Sequence, residues 1–205
     1  MSKALAVKKE MTVEEYLVFE EKSKYRHEFL EGEIYQMAGG KYSHSLIGTN
    51  ILTEIAINLR LKNKNCDIHG SDLRVQIDEE NYVYPDVTVA CNPKLVPNIF
   101  DTLENPQVIF EVISKSTEYR DKEVKLKLYL QIESLTDYLI VAQKEQRIEH
   151  YQRKSKKEWT YRVYEETEEV IKLNSIECEI TVEQIYRNVE FPKLRLVKTK
   201  KRRII

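Results

Sequence analysis

The run Val108-Ile109-Phe110-Glu111-Val112-Ile113 is apolar except for one glutamate. Its β-branched and aromatic residues, with Pro106 before it and Ser114, Ser116 and Thr117 after it, predict a buried strand over Gln107–Ile113. A carboxylate inside such a strand cannot be both charged and alone, because burying an unpaired charge is strongly unfavourable. Whatever fold forms around Glu111 must therefore neutralise it, pair it or bind it to a metal. Asp86 poses the same problem: it follows Pro85 and opens Val87-Thr88-Val89-Ala90, a second strand signal. Two acids on neighbouring strands can converge on one hard cation. Mg2+ takes carboxylate oxygens and keeps several waters, one of which can become a nucleophile. The alternative is that each acid simply pairs with an arginine or lysine.

The rest of the chain supplies the elements that surround these strands. Thr12 with Glu15 forms a capping box and predicts a helix to about Lys22. Glu31-Gly32 separates His27–Leu30 from Glu33–Met37 as a hairpin turn. After Gly39-Gly40, Leu46, Ile47, Ile51, Leu52, Ile55 and Leu59 recur at helical spacing, so a helix is expected from about Ser43 to Lys62. Strands are predicted over Cys66–Ile77 and Tyr82–Cys91, joined by the polar turn at 78–81. A helix over about Glu118–Glu133 and an apolar strand over Tyr138–Ala142 follow. Arg147–Gln152, Glu158–Tyr164 and Val170–Leu173 alternate in polarity and read as an antiparallel meander, ahead of a short helix at Val182–Tyr186. The order predicts an α+β or mixed α/β fold, with a mixed central sheet flanked by helices, an N-terminal hairpin and a C-terminal meander. With no repeat and no linker, 12–190 reads as one domain, and 1–11 and 193–205 as flexible tails.

Charge and composition remove several classes. Thirty-three basic and 34 acidic residues give a net charge of −1, unlike a protein that coats nucleic acid through phosphate contacts. An enzyme that engages phosphate locally is compatible with that balance. No apolar stretch is long enough to cross a bilayer and no signal-peptide core is evident, so no membrane partner and a cytoplasmic location are expected. Cys66, Cys91 and Cys178 are odd in number and form no CxxC pair, which predicts buried reduced thiols rather than a zinc site or a disulfide framework. His27, His69 and His150 lack zinc-ligand spacing and read as structural. The Lys193–Arg203 tail carries seven cations and no acid; it reads as a solubilising tail or as a phosphate contact.

The segments Tyr84-Pro-Asp-Val87, Phe110-Glu-Val-Ile-Ser-Lys-Ser-Thr117 and Arg120-Asp-Lys-Glu-Val-Lys-Leu-Lys-Leu-Tyr129 resemble the PD-(D/E)xK nuclease superfamily. Within it the chain is similar to the Uma family, bacterial restriction-endonuclease-like proteins abundant in cyanobacteria and known as a domain of unknown function. The stretch from Tyr25 to Gly40 resembles that family's opening hairpin, His44 heads the next helix as its histidine does, and Thr136–Tyr151 resembles its following strand and hairpin. The resemblance covers roughly Thr12–Tyr186.

The resemblance implies a restriction-endonuclease-like core and metal-dependent endonuclease activity on phosphodiester bonds, mainly in DNA. The implied cofactor is Mg2+ or Mn2+. Asp86 and Glu111 would hold it with the Val112 backbone carbonyl. One position departs from the superfamily: the lysine expected two residues after the strand glutamate is Ile113. Lys115 would share a strand face with Glu111 and is one substitute. Lys125 is the better candidate, four residues before Tyr129 on the following helix, where the alternative is a solvated pair with Asp121. Lys127 lies off that face. Glu28 and His44 are possible accessory groups, each with a surface or capping alternative, and Gln76 is a candidate to lie beside Asp86. The implied partner is nucleic acid, in a homodimer or higher homo-oligomer. The missing lysine and the near-neutral charge also motivate a second reading, a catalytically inactive module that binds nucleic acid or protein; a third is an oligomeric structural protein with the Arg147–Leu173 meander as its interface.

Overall fold

The computed structural model describes residues 6–7, 11–37, 39–97, 99, 101–113 and 120–192. In chain order its elements are β1 (Ala6–Val7), α1 (Val13–Lys22), β2 (His27–Leu30), β3 (Glu33–Gln36), α2 (Tyr42–Leu61), β4 (Cys66–Gly70), β5 (Arg74–Asp78), β6 (Asn81–Val83), β7 (Val87–Cys91), β8 (Thr102–Leu103) and β9 (Val108–Ile113). A helix follows that has π geometry over Arg120–Lys125 and continues as α3 (Leu126–Tyr129). Then come β10 (Asp137–Ala142), β11 (Ile148–Ser155), β12 (Glu158–Tyr164), β13 (Val170–Leu173), β14 (Cys178–Thr181) and α4 (Val182–Ile185). The capping box predicted for α1 forms: Thr12 accepts from the Glu15 amide and Glu15 returns to the Thr12 amide.

Two six-stranded sheets organise these elements. One has the order β1-β3-β2-β6-β5-β8 and the other β12-β11-β10-β9-β7-β4, while β13 and β14 form a separate ribbon. The second sheet is mixed, as predicted: β9 runs parallel to β10 and the other neighbours are antiparallel. β9 alternates between two apolar layers, which explains its continuous apolar sequence. Val108, Phe110 and Val112 face α2, whose Ile47, Ile51, Ile55 and Leu59 line the same core. Ile109 and Ile113 face the other sheet, where Leu30, Val75, Val83 and Leu103 meet them together with Leu128 and Tyr129. Helix α1 covers the far side of that first sheet through Tyr16, packed with Phe29, Ile34 and Tyr82. Each fully buried aliphatic or aromatic side chain of these layers contributes about 1.5–3 kcal/mol.

The structure divides two segments that the sequence predicts as single strands. Cys66–Ile77 becomes β4 in one sheet and β5 in the other, and Tyr82–Cys91 becomes β6 and β7. Pro85 marks the second division, because it has no N–H to continue a ladder. The predicted three-stranded meander is also not formed. β11 and β12 pair, but β13 turns away to pair with β14, a strand the sequence reading missed although its alternating burial of Cys178 and Ile180 carries the signal. Within the segment expected to be an N-terminal tail, Ala6–Val7 pairs with Ile34 and Tyr35 of β3. The 193–205 tail lies outside the described residues.

The cysteines correct the sequence reading. Cys66 and Cys91 are directly opposed in the β4–β7 ladder and form a disulfide, while Cys178 is free and buried. Twenty-five residues separate the pair, so only the register brings the sulfurs together. No described helix is long and apolar enough to cross a membrane. Thiol titration of the unfolded, unreduced protein is expected to find one reactive cysteine, rising to three after reduction. Closing a loop of this size stabilises by about 3 kcal/mol in the chain-entropy model. The Cys66→Ser/Cys91→Ser protein should therefore lose about that much unfolding free energy, read as a lower urea midpoint at an unchanged slope.

Candidate active site

The corner at Pro85 delivers Asp86 to the start of β7, an interior strand of the second sheet. Val87 is registered with Phe110 in the antiparallel β7–β9 ladder, so one step outward sets Asp86 across from Glu111. Asp86 Oδ2 accepts from the Val112 amide at 2.7 Å. In an antiparallel pair a residue presents N–H and C=O to the same neighbour. The Val112 carbonyl therefore points to the same edge as Asp86, beyond the last β7–β9 pair. Asp86 Oδ1 lies 3.0 Å from His44 Nε2. His44 sits in the first turn of α2, three and seven residues before Ile47 and Ile51, so it belongs to the stripe that packs on the sheet. Gly40 makes room for its ring: a Cβ there would come within 2.6 Å of His44 Cδ2.

Glu111 is bound from the other direction. Its Oε1 accepts from Lys125 Nζ at 2.9 Å and from the Tyr129 hydroxyl at 2.7 Å. Lys125 and Tyr129 are one helical turn apart and share a face, which is why both reach the same oxygen. Lys125 Nζ also lies 2.5 Å from Glu28 Oε1. Glu28 comes from β2, so the lysine bridges the two sheets. Glu28, Lys125 and Glu111 are 1%, 3% and 5% exposed, a degree of burial that excludes the solvated helix position considered for Lys125. The side chain of Asp121, its other suggested partner, is outside the described residues.

Electrostatics follow from this packing. Burial alone would lower the His44 pKa. The Asp86 hydrogen bond and charge, the Glu111 charge and a backbone hydrogen bond at Val112 outweigh it and hold His44 above its usual value. Burial, reinforced by the Glu111 charge, pushes the Tyr129 hydroxyl well up, so it remains a proton donor to Glu111. The donor set of Asp86, Glu111 and the Val112 carbonyl is all oxygen, which is the chemistry that fits a hard divalent cation completed by water. Among the described residues no three histidine, cysteine, aspartate or glutamate side chains are arranged to hold a metal, so a cage built only of side chains is not the geometry on offer.

The structure therefore brings together Asp86, Glu111, Val112, Lys125, Glu28 and His44. It does not bring Gln76 to them. Gln76 Nε2 donates to the Tyr82 hydroxyl at 3.0 Å, on the α1 side of the first sheet, opposite Glu28. Lys115 lies outside the described residues. Ile113, where the superfamily lysine would stand, is buried in the apolar layer between the sheets. Tyr129 was missed as a site residue, although a tyrosine one turn from a buried lysine needs a hydrogen-bond partner.

The family model described as "Putative restriction endonuclease", Uma2, matches residues 13–183. The chain belongs to the Uma2 family. An uncharacterized protein of Synechocystis sp. is 34% identical over 182 residues, covering 88% of this chain and 94% of its own. A second uncharacterized Synechocystis protein is 36% identical over 157 residues, covering 76% and 88%. The crystal structure of "a putative nuclease belonging to DUF820" from Anabaena variabilis superposes with a TM-score of 0.66 at 16% identity, over 86% of this chain and 97% of that one. At that identity the likeness establishes the fold, which is nuclease-like, as the sequence predicted.

For this Uma2 chain the buried bridge has a measurable consequence. Removing one member of a buried ion pair typically costs about 3–5 kcal/mol, because the remaining charge is left uncompensated. Lys125→Met in EDTA is expected to lower unfolding stability by that amount. The triple change Glu28→Gln/Glu111→Gln/Lys125→Met should recover much of it in urea denaturation. Tyr129→Phe removes one hydrogen bond to a charged acceptor and is expected to cost about 2 kcal/mol.

Proposed function

We propose that this chain is a Mg2+- or Mn2+-dependent endonuclease that hydrolyses phosphodiester bonds in DNA. The observation that carries this reading is the position of Lys125. It lies 14 residues after Glu111 and on a different element, yet its ammonium reaches Glu111 Oε1 at 2.9 Å. The chain thereby recovers the carboxylate-plus-lysine grouping that Ile113 interrupts in the sequence. Membership of a family described as restriction endonuclease, and the nuclease-like fold, support the same reading.

Asp86, Glu111 and the Val112 carbonyl would hold the cation. When bound, a divalent ion of this kind supplies a Lewis acid for the phosphoryl oxygens and lowers the pKa of a coordinated water. The protein groups do the rest. Tyr129 fixes the Glu111 carboxylate through Oε1 and so orients it. Lys125 sets a positive charge beside the same carboxylate, where it offsets negative charge gathering on the phosphate during in-line attack. His44, bonded to Asp86, orients that carboxylate and adds positive charge at the phosphate side. Glu28 holds the Lys125 ammonium between the sheets and so positions it.

Nicking of supercoiled plasmid with and without Mg2+ is the test. Wild-type protein should cleave in Mg2+ and be silent in EDTA. Asp86→Ala and Glu111→Ala should abolish cleavage while retaining a folded circular dichroism spectrum. Tyr129→Phe should reduce it by about 10–100-fold through loss of carboxylate orientation. Activity that survives both alanine substitutions removes the site assignment. A second reading, a non-cleaving nucleic-acid-binding module, is favoured by one observation: both Asp86 oxygens are already engaged, by His44 and by the Val112 amide. DNA binding unchanged by EDTA, with no divalent binding by calorimetry, would select that module.

A further inference from the structure

The nuclease-like site leaves the far end of the second sheet unused. There, β11 and β12 form a hairpin that outruns its neighbour. β10 pairs with β11 from Asp137↔Gln152 onward and the Arg153 amide still donates to the Thr136 carbonyl, whereas Ser155↔Glu158 pair only across the hairpin. The register Glu111↔Ile140, Ile140↔Glu149, Glu149↔Val163 fixes which face is which. Alternation then places Tyr151 and Arg153 of β11, and Tyr161 and Trp159 of β12, on the face that carries Glu111.

An aromatic row crosses this face. It begins at Tyr129, whose hydroxyl holds Glu111, and continues to Tyr138 at 4.8 Å, Tyr151 at 6.1 Å and Tyr161 at 5.0 Å between ring centroids. Tyr138 is buried, but Tyr161 is 50% exposed. Beside it, the Arg153 guanidinium lies 4.2 Å from the Trp159 ring centroid. Arg153 is itself anchored by donation to the backbone carbonyls of Leu130, Ile132 and Leu135. Residues 147–164 contain six arginines and lysines and two acids. Alternation turns Lys154 and Arg162 to the opposite face, and Arg147 and Lys156 pair with Glu165 and Glu133, which leaves Arg153 and the hairpin tip as the positive groups beside the row. Of the two acids, Glu149 is already matched by Lys122 at 2.7 Å and Arg147 at 3.4 Å.

We propose that this face of the β11–β12 hairpin is a stacking platform for single-stranded nucleic acid. A half-exposed ring backed by other rings, beside a guanidinium already stacked on an indole, is what the bases of an unpaired strand bind: each base offers a π-face to an aromatic ring, and the backbone is drawn by the neighbouring positive charge. A duplex keeps its base faces stacked internally and offers nothing to Tyr161. The platform lies three strands from Glu111, roughly 14 Å at ordinary strand spacing. It therefore holds a part of the strand that is not being cut. Its biological meaning rests on the nuclease reading, but its binding does not.

Trp159 is the only tryptophan in the chain, so its fluorescence reports this face alone. The full-length protein in EDTA, which prevents metal-dependent turnover, is titrated with a twelve-residue oligo-dT and with a hairpin duplex of the same charge. Expected is saturable quenching by oligo-dT that weakens with salt, with the duplex much weaker. Tyr161→Ala should weaken oligo-dT binding by about tenfold, within the range for loss of one stacked base, while Tyr161→Phe retains it. Absence of quenching, equal response to the duplex, or an unchanged affinity in Tyr161→Ala overturns the proposal. So would a Trp159 signal that follows protein concentration without oligonucleotide, which would assign the β12 edge to self-association. Quenching without plasmid cleavage sinks the nuclease reading and leaves the platform; cleavage without quenching does the reverse.

Discussion

An ammonium group held between two carboxylates in a nearly dry interior governs the arrangement around it. Glu28 and Glu111 approach the same space from different sheets, and two like charges there would repel strongly in a low-dielectric medium. Lys125 lies within ion-pair distance of both. The helix that carries it has a π-type turn over Arg120–Lys125 before tightening into α3. Such widened turns are rare in helices and frequent at functional sites. Tyr129, one turn later, completes the contact with Glu111 and ties the same helix into the apolar layer.

Asp86 depends on a different kind of constraint. Its place follows from the interruption at Pro85, which ends β6 in one sheet and lets β7 begin in the other. The chain thus changes sheet immediately before the carboxylate. The bond from the Val112 amide then fixes the carboxylate against the open end of β9. His44 reaches it only because α2 packs its apolar stripe over β7 and β9, and because Gly40 has no side chain to obstruct the ring.

Much of this was legible in the chain. The glutamate in VIFEVI announced a buried charge that needed a partner, and the resemblance to the Uma family singled out Lys125, four residues before Tyr129. Periodicity also placed α1, α2 and β12 within a residue or two of their bounds. What periodicity could not express was membership. A run such as Cys66–Ile77 looks the same whether its two halves share a sheet or divide between two, because both halves keep the period of a strand. The same blindness hid the disulfide, since Cys66 and Cys91 meet through register rather than spacing. It also misplaced Gln76, whose side chain lies on the opposite face of its strand from the one the site requires.

The apolar layer between the sheets has a role that its composition does not suggest. Glu28 rides on one sheet and Glu111 on the other, so the distance across the site is the thickness of what lies between: Leu30, Val75, Val83, Ile109 and Ile113. These side chains work as spacers that set the aperture of a polar site they do not line. Close-packed interiors transmit small changes in volume rather than absorb them, and displacements of about 1 Å are enough to cost two orders of magnitude at a reacting centre. Trimming a methylene from Ile113 or Val83 therefore amounts to retuning the carboxylate gap from the hydrophobic side.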